Sequence, residues 1–207
     1  LKVVEDEFRN LPCNEYIAYA PIEGLPEFID ACKQECFGAS RPDAYIEGIA
    51  TTGGTGGIHH IVHNYSEIGD KVMTADWYWG AYKQICQDNG RTLVTYPLFD
   101  DNYHFNFPAL KSLALELAET QENIVILINT PGNNPTGFSL CESDWDNVLN
   151  FSKELVATGK NKVIIGIDVA YIDFSGPREE VRRFFKKFEG LPKEILGIAC
   201  YSVSKGF

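Results

Sequence analysis

Short apolar runs alternate with amphipathic stretches along most of this chain. Runs of strand length lie at 45–51, 71–75, 91–96, 123–129, 162–168 and 197–201. Between them, apolar residues recur at helical spacing over 24–37, 55–65, 79–89, 107–119 and 140–157. The alternation predicts an α/β fold in which a mostly parallel sheet is covered by helices on both faces, a three-layer αβα arrangement.

The predicted sheet also indicates where a ligand would bind. In open α/β sheets, binding crevices lie outside the carboxyl ends of the strands. Here those ends fall at or just before Thr51, Asn129, Asp168 and Ser202. The side chains and loops at these positions are therefore the first candidates for chemistry.

Composition narrows the class of protein and of partner. The 207 residues carry a formal net charge of -11 and are 44% hydrophobic, as in a globular domain that buries a substantial core. An acidic chain repels nucleic acid and anionic membranes, and no apolar run is long enough to span a bilayer. The six cysteines include no C-x-x-C pair, and the N-terminus lacks a secretion signal. These features predict reduced thiols and a cytoplasmic location.

A cluster of glycines opens one of the predicted helices: Gly53, Gly54, Gly56 and Gly57 surround Thr55. Amides at a helix start carry the positive end of the dipole, and glycines let an anion approach them closely. The segment is therefore either a phosphate site or a flexible turn between a strand and a helix. It is not a Walker loop, because no lysine follows the last glycine.

Polar residues also follow the later strands. In TPGNNPTG, after Asn129, the amide of Asn134 either belongs to a turn or faces the crevice as a donor. The next strand ends on Asp168, which either lies at the surface or is buried with a partner such as a protonated ring nitrogen. Lys205, just past the last strand, is either solvated or able to form a Schiff base in a crevice.

Taken in order, the motifs G-G-T-G, N-N-P-T-G, D-x-A-Y and S-x-S-K resemble those of fold-type I pyridoxal-phosphate enzymes. The chain is most similar to class I aminotransferases of the aspartate and aromatic type, over about residues 19–207. The resemblance implies that 1–207 is a large cofactor-binding domain. It also implies an excerpt, truncated at both ends and without the small C-terminal domain, of an enzyme roughly twice as long.

The resemblance assigns a role to each matching residue around the cofactor ring. Lys205 would form a Schiff base with pyridoxal 5'-phosphate and then act as a general acid and base. Asp168 would pair with the pyridine nitrogen and keep it protonated, so that the ring accepts electrons. Asn134 and Tyr171 would donate hydrogen bonds to the phenolic oxygen.

Further matching residues would surround the phosphate and the ring face. Gly54, Thr55 and Ser202 would bind the phosphate. Trp79 would stack on the ring, with Trp77 as an alternative and core packing as the other interpretation.

Some positions depart from the aspartate subgroup. Gly53 stands where serine is common, Ala81 where asparagine is common, and Tyr82 where a histidine often lies near the aspartate. These departures weaken a prediction that aspartate itself is the substrate.

The resemblance also implies partners. Tyr19 would reach the phosphate of the neighbouring subunit in a homodimer with shared active sites. The substrates would be an amino acid, aromatic or dicarboxylic by preference, and a 2-oxo acid, with no nucleic acid and no membrane. Two alternatives remain open: a carbon–sulfur β-lyase on the same scaffold, and a pyridoxal-phosphate-binding regulatory domain of a transcription factor.

Two other patterns, a histidine pair and a basic stretch, favour ordinary packed helices over a metal site or a membrane contact. His59 and His63 have the spacing of metal ligands, but the sequence offers no nearby carboxylate or cysteine to complete a site. The basic stretch 177–189 has phenylalanines at helical spacing, which predicts a helix packed on the sheet rather than on a membrane.

Overall fold

The computed structural model describes residues 1–206, and Phe207 lies outside the described residues. In this part of the chain a sheet contains five parallel strands in the spatial order β2-β1-β3-β4-β5. The strands are β1 (Lys71–Ala75), β2 (Thr92–Tyr96), β3 (Asn123–Asn129), β4 (Lys162–Asp168) and β5 (Ile195–Cys200). The chain moves outward from β1 to β2 and then returns to place β3 on the other side of β1. Such a reversal opens a crevice at the carboxyl ends of the strands.

Helices precede, connect and follow the strands. Over residues 1–206 they are α1 (Lys2–Asn10), α2 (Cys13–Tyr16), α3 (Pro26–Phe37), α4 (Gly53–Tyr65), α5 (Ala81–Asp88), α6 (Phe107–Ala118), α7 (Glu142–Val156), α8 (Arg178–Arg182) and α9 (Val203–Gly206). Short 3-10 helices lie at Gly38–Ser40, Ile172–Phe174 and Arg183–Phe188. The predicted α/β fold with a parallel sheet is confirmed.

The alternation of side chains along the central strands divides the core into two clusters. On β3, Val125 and Leu127 belong to one cluster, whereas Ile124, Ile126 and Ile128 belong to the other. The first cluster includes residues of α4 and α5, and the second includes residues of α6, α7 and the 3-10 helix after α8. Both β3 and β4 are buried or nearly so beyond their first residue, as expected for strands covered on both faces.

The N-terminal segment contributes little to this core. None of residues 1–31 is buried, leaving aside Tyr16, whose side chain is not described. Its large apolar side chains are open to solvent in the single chain, and we call them the N-terminal apolar surface: Leu1, Val3, Val4, Phe8, Leu11, Ile17, Tyr19, Ile22, Leu25 and Phe28. Exposed apolar area of this kind is typical of an interface with another chain or domain.

The predicted strand at 45–51 is wrong. This segment has no regular secondary structure, because it packs on the region of α3 instead of joining the sheet. A Cβ at Gly48 would lie 2.8 Å from Cγ2 of Ile29. The amide of Ala50 donates to the carbonyl of Glu23 at 2.7 Å and is thereby removed from strand pairing. The glycine cluster therefore opens α4 without a preceding strand.

The predicted helix at 177–189 is divided. After α8 the chain tightens into a 3-10 helix, which places Phe184 and Phe185 in the core. The ring of Phe184 stacks on Trp145 of α7 with centroids 4.9 Å apart. The phenylalanines thus pack in the core, as predicted, although not on one continuous helix.

The histidine pair on α4 does not form part of a metal site among the described residues. His59 and His63 stack on the exposed face of α4 with ring centroids 5.9 Å apart. Among the described residues, no group of three or more His, Cys, Asp or Glu side chains is arranged to hold a metal ion. The same residues include no helix long and apolar enough to cross a membrane.

Candidate functional site

The carboxyl ends of three neighbouring strands lie level at one edge of the sheet. Asn129 of β3 pairs with Asp168 of β4, which pairs in turn with Cys200 of β5. Because adjacent strands are about 4.8 Å apart, the loops that follow leave the sheet side by side. The start of α4 reaches the same edge, since a Cβ at Gly54 would lie 3.8 Å from the Cβ of Ser202. The four sequence motifs therefore meet at this edge.

Asp168 is a buried carboxylate held by two hydrogen bonds. The hydroxyl of Tyr82 donates to Oδ2 at 2.6 Å, and the amide of Ala170 donates to Oδ1 at 3.1 Å. Burial raises the pKa of Asp168 above its ordinary value, although both hydrogen bonds act to lower it. In the part of the chain that the structure describes, no lysine, arginine or histidine forms an ion pair with Asp168.

The groups around Asp168 are uncharged near neutral pH. Burial raises the pKa of the Tyr82 phenol well above its usual value, and the nearby carboxylate raises it further. Burial, and to a smaller extent the charge of Asp168, also raise the pKa of the Cys200 thiol. A carboxylate in such surroundings is stabilised by a cationic ligand.

Asn129 connects the carboxylate to the loop after β3. It is buried, its amide donates to the carbonyl of Asp168 at 2.9 Å, and its Oδ1 accepts from the amide of Asn134 at 2.6 Å. The sequence pattern identifies Asn129 only as the end of a strand. Its signal was a polar residue closing an otherwise apolar buried run, where an unpaired amide would be costly.

The loop at 130–137 uses its two central asparagines differently. Asn133 is buried, donates to the carbonyl of Trp77 at 3.1 Å and accepts from the hydroxyl of Thr136 at 2.7 Å. It therefore ties the loop after β3 to the loop after β1. Asn134 is half-buried, and its side-chain amide has no hydrogen bond with another described residue, which leaves its donors available to a ligand. The bonds Thr130–Pro131 and Asn134–Pro135 are cis.

The glycine cluster forms the first turn of α4. Gly53 has φ 67°, a conformation that glycine adopts without strain. The amides of Gly54 and Thr55 have no acceptor within the helix, because first-turn amides point out of its end. A Cβ at Gly53 would lie 3.9 Å from both Ser202 Oγ and Ser204 Oγ. Helix amides and serine hydroxyls thus line one small region, suited to an anion such as phosphate.

Ser204 is a second residue that sequence reasoning did not single out. Its amide donates to Ser202 Oγ at 3.1 Å, and the two hydroxyl oxygens lie 2.8 Å apart. The S-x-S spacing could have indicated this role, because a tight turn brings the second serine hydroxyl next to the first.

Close packing of α4 on β5 also depends on glycine, which gives a stability prediction. A Cβ at Gly57 would lie 2.9 Å from Sγ of Cys200. Gly57→Ala is therefore expected to lower the free energy of unfolding by about 1–3 kcal/mol through overpacking, measured by urea denaturation. Gly80→Ala is the control, since a Cβ there meets no atom within 4 Å. Adding Cys200→Ala to Gly57→Ala should recover much of the loss, and an unchanged loss would contradict the steric explanation.

Lys205 lies beside the segment that follows Asp168. Its Nζ is 5.9 Å from the centroid of the Tyr171 ring, within the range of a cation–π contact. Lys205 is exposed, and Tyr171 is half-buried. The amine and the phenol named by the sequence thus lie close together.

The three aromatic residues predicted to contact the cofactor differ in burial: Trp79 packs against the core, whereas Trp77 and Tyr19 are exposed. Trp79 is half-buried in the cluster of α4 and α5, where its ring meets Tyr82 edge to face with centroids 5.9 Å apart. Trp77 is 52% exposed, in the loop after β1. Tyr19 is 94% exposed, so the single chain does not bring it into the group around Asp168.

Known proteins resemble the chain over most of its length. Residues 2–207 match the family described as aminotransferase class I and II. The chloroplastic aspartate aminotransferase of Arabidopsis thaliana is 28% identical over 196 residues, which cover 91% of this chain and 41% of that protein. The aromatic-amino-acid aminotransferase of Escherichia coli is 28% identical over 169 residues, which cover 78% of this chain and 40% of that protein.

Structural similarity extends just as far. A crystal structure of an aminotransferase from Anaerococcus prevotii superposes with a TM-score of 0.93 at 37% identity, covering 99% of this chain and 50% of that one. The chain thus spans about half the length, or somewhat less, of these relatives. Sequence and fold together show that the chain belongs to the aminotransferase class I and II family.

Proposed function

We propose that the full-length protein is a pyridoxal-phosphate-dependent aminotransferase that moves an amino group from an amino acid to a 2-oxo acid. The observation that carries the proposal is the buried carboxylate of Asp168, which has two hydrogen-bond donors and no ion pair with a described cation. A protonated pyridine nitrogen would supply the missing charge. Family membership supports the same function.

The residues at the sheet edge fit this cofactor at both of its ends. The outward amides of Gly54 and Thr55, together with the Ser202 hydroxyl, suit a phosphate. The carboxylate of Asp168 suits the ring nitrogen at the opposite end. Lys205 supplies a primary amine on the same stretch as Ser202. When bound, the cofactor supplies a ring that withdraws electrons from the substrate α-carbon.

Each polar side chain then has a task that its position supports. Lys205 would attach the cofactor, and its amine, once released by an incoming amino acid, would carry a proton from and to the substrate α-carbon. Tyr171 and Asn134 would donate to the phenolic oxygen, since the half-buried Asn134 amide has donors to spare. Trp79, with Trp77 as the alternative, would cover one face of the ring.

We also propose that two copies of the protein form the active site. Tyr19 and the rest of the N-terminal apolar surface are exposed in the single chain, which favours burial against a second copy. In such a homodimer Tyr19 would reach the partner's phosphate. Light scattering on the full-length protein measures the expected dimer mass. The thiols of Cys36, Cys86 and Cys200, which form no disulfide, favour the cytoplasm as its location.

The proposal is tested by a visible absorbance spectrum of the full-length protein with pyridoxal phosphate. We expect a band that survives desalting, because the attachment is covalent. Addition of an aromatic or dicarboxylic amino acid should remove this band, and a 2-oxo acid should restore it. Steady turnover that depends on the oxo acid supports an aminotransferase, whereas release of pyruvate and ammonia without it would identify a β-lyase. Absence of a band would exclude both.

A further inference from the structure

We propose that Tyr82 is a positioning residue of this site, whose hydroxyl orients Asp168 and holds it as the anion that meets the cofactor's ring nitrogen. The inference rests on the proposed function, because it concerns the same carboxylate. It assigns a task to a position at which the aspartate subgroup often has histidine. The phenol therefore replaces that residue with different chemistry.

The packing around Tyr82 leaves its hydroxyl little freedom. The side chain is fully buried, and its Oη lies 2.6 Å from Oδ2 of Asp168. Its ring is stacked on Tyr78, with centroids 6.4 Å apart and planes at 11°, while Trp79 meets it edge to face. A ring fixed in this way directs one hydrogen bond at one carboxylate oxygen. The Ala170 amide holds the other oxygen, so the carboxylate plane is set from two sides.

The charges around Asp168 also favour this role for Tyr82. The titratable groups that face Asp168 are Tyr82 from α5 and Cys200 from β5, and β3 contributes the uncharged amide of Asn129. The neutral phenol donates a hydrogen bond without bringing a positive charge. A protonated histidine at this position would compete with the ring nitrogen for the carboxylate. Tyr82 therefore keeps Asp168 ionised while leaving its charge for the ligand.

Removing the hydroxyl should raise the pKa of Asp168 further, since a hydrogen bond to the charged form is lost. Tyr82→Phe keeps the ring and its packing. Tyr65→Phe is the control, because Tyr65 packs against the same cluster and has no hydrogen bond to Asp168. The measurement is the dissociation constant for pyridoxal phosphate of full-length wild type and variants across mildly acidic to neutral pH.

We expect the ratio of dissociation constants, Tyr82→Phe over wild type, to grow as pH falls. Below the raised pKa, Asp168 of the variant is neutral and must lose its proton before it pairs with the cationic ring. The ratio should approach about tenfold at the acid end, as expected for the loss of one hydrogen bond to a charged group, and should approach unity where both carboxylates are ionised.

A second measurement needs no cofactor. A folded-state pKa above the unfolded value adds stability at low pH that is lost as pH rises through the folded pKa. Because Tyr82→Phe raises that pKa, its loss of unfolding free energy should increase from acidic to neutral pH. A variant that folds only in acid would be the extreme form of this result. The Tyr65→Phe control should show a loss that does not change with pH.

The outcomes separate this inference from the proposed function. A wild-type protein that binds pyridoxal phosphate, with a ratio for Tyr82→Phe that is flat in pH, would overturn the role of Tyr82 alone. A wild-type protein that does not bind the cofactor would overturn the proposed function and the role of Tyr82 with it. A pH-dependent ratio, matched by a pH-dependent loss of stability, supports both.

Discussion

Lys205→Ala is expected to abolish the absorbance band that survives desalting and to reduce transamination by at least about 10²–10⁴-fold, the usual contribution of a general acid or base. The variant loses the primary amine that would both attach the cofactor and carry the proton at the substrate α-carbon. The phosphate region and Asp168 remain, so weak binding that is lost on desalting should persist. Absorbance before and after desalting, together with steady-state rates, measures both effects.

Lys193→Ala is the matched control for this experiment. Lys193 is also a lysine next to β5, but it lies before the strand and its side chain is 91% exposed. Its removal should leave both the band and the rate unchanged. A Lys205→Ala protein with an intact band after desalting would move the attachment to another amine and contradict the assignment.

The layered fold could be predicted from the sequence because its central strands are apolar along almost their whole length. Strands such as β3 and β4 are apolar at nearly every position, which indicates burial on both faces. The segment at 45–51 also contains apolar residues, but Glu47 and Gly48 interrupt the run, and the segment does not join the sheet. Its backbone is engaged by Glu23, a contact between segments that no local pattern reveals. Tertiary contacts of this kind override local propensity.

The candidate site could be predicted in outline from the ends of those strands. The strand that ends in Asp168, the motif that ends in Lys205 and the glycines at α4 do come together at one edge. The supporting residues Asn129 and Ser204 were missed, because a hydrogen bond to a neighbouring segment depends on orientation. The sequence marks Tyr82 only as a departure from a family pattern, although its distance to Asp168 makes it the principal contact of that carboxylate.

Behind the site, a buried arginine joins three segments. Arg182 is 0% exposed, its Nε lies 3.1 Å from the carbonyls of Glu35 and Cys36 at the end of α3, and its Nη2 donates to Asp173. Asp173 also accepts from the hydroxyl of Tyr201 at 3.3 Å. The network thus connects α3 to the turn after Tyr171 and to the strand end before Ser202.

Arg182→Ala is expected to lower the free energy of unfolding by about 3–5 kcal/mol, because it leaves a partly buried carboxylate and several carbonyls without their donor. Arg182→Lys should recover little, since one ammonium cannot replace the forked guanidinium. The control is Arg178→Ala, which breaks a 2.8 Å pair with Glu35 whose side chains are 45% and 43% exposed, and should cost no more than about 1 kcal/mol. Urea denaturation of the full-length protein measures all three. Equal losses for Arg182→Ala and Arg178→Ala would mean that burial adds nothing to this network, whereas the expected difference would show that the buried network stabilises the fold more than the exposed ion pair does.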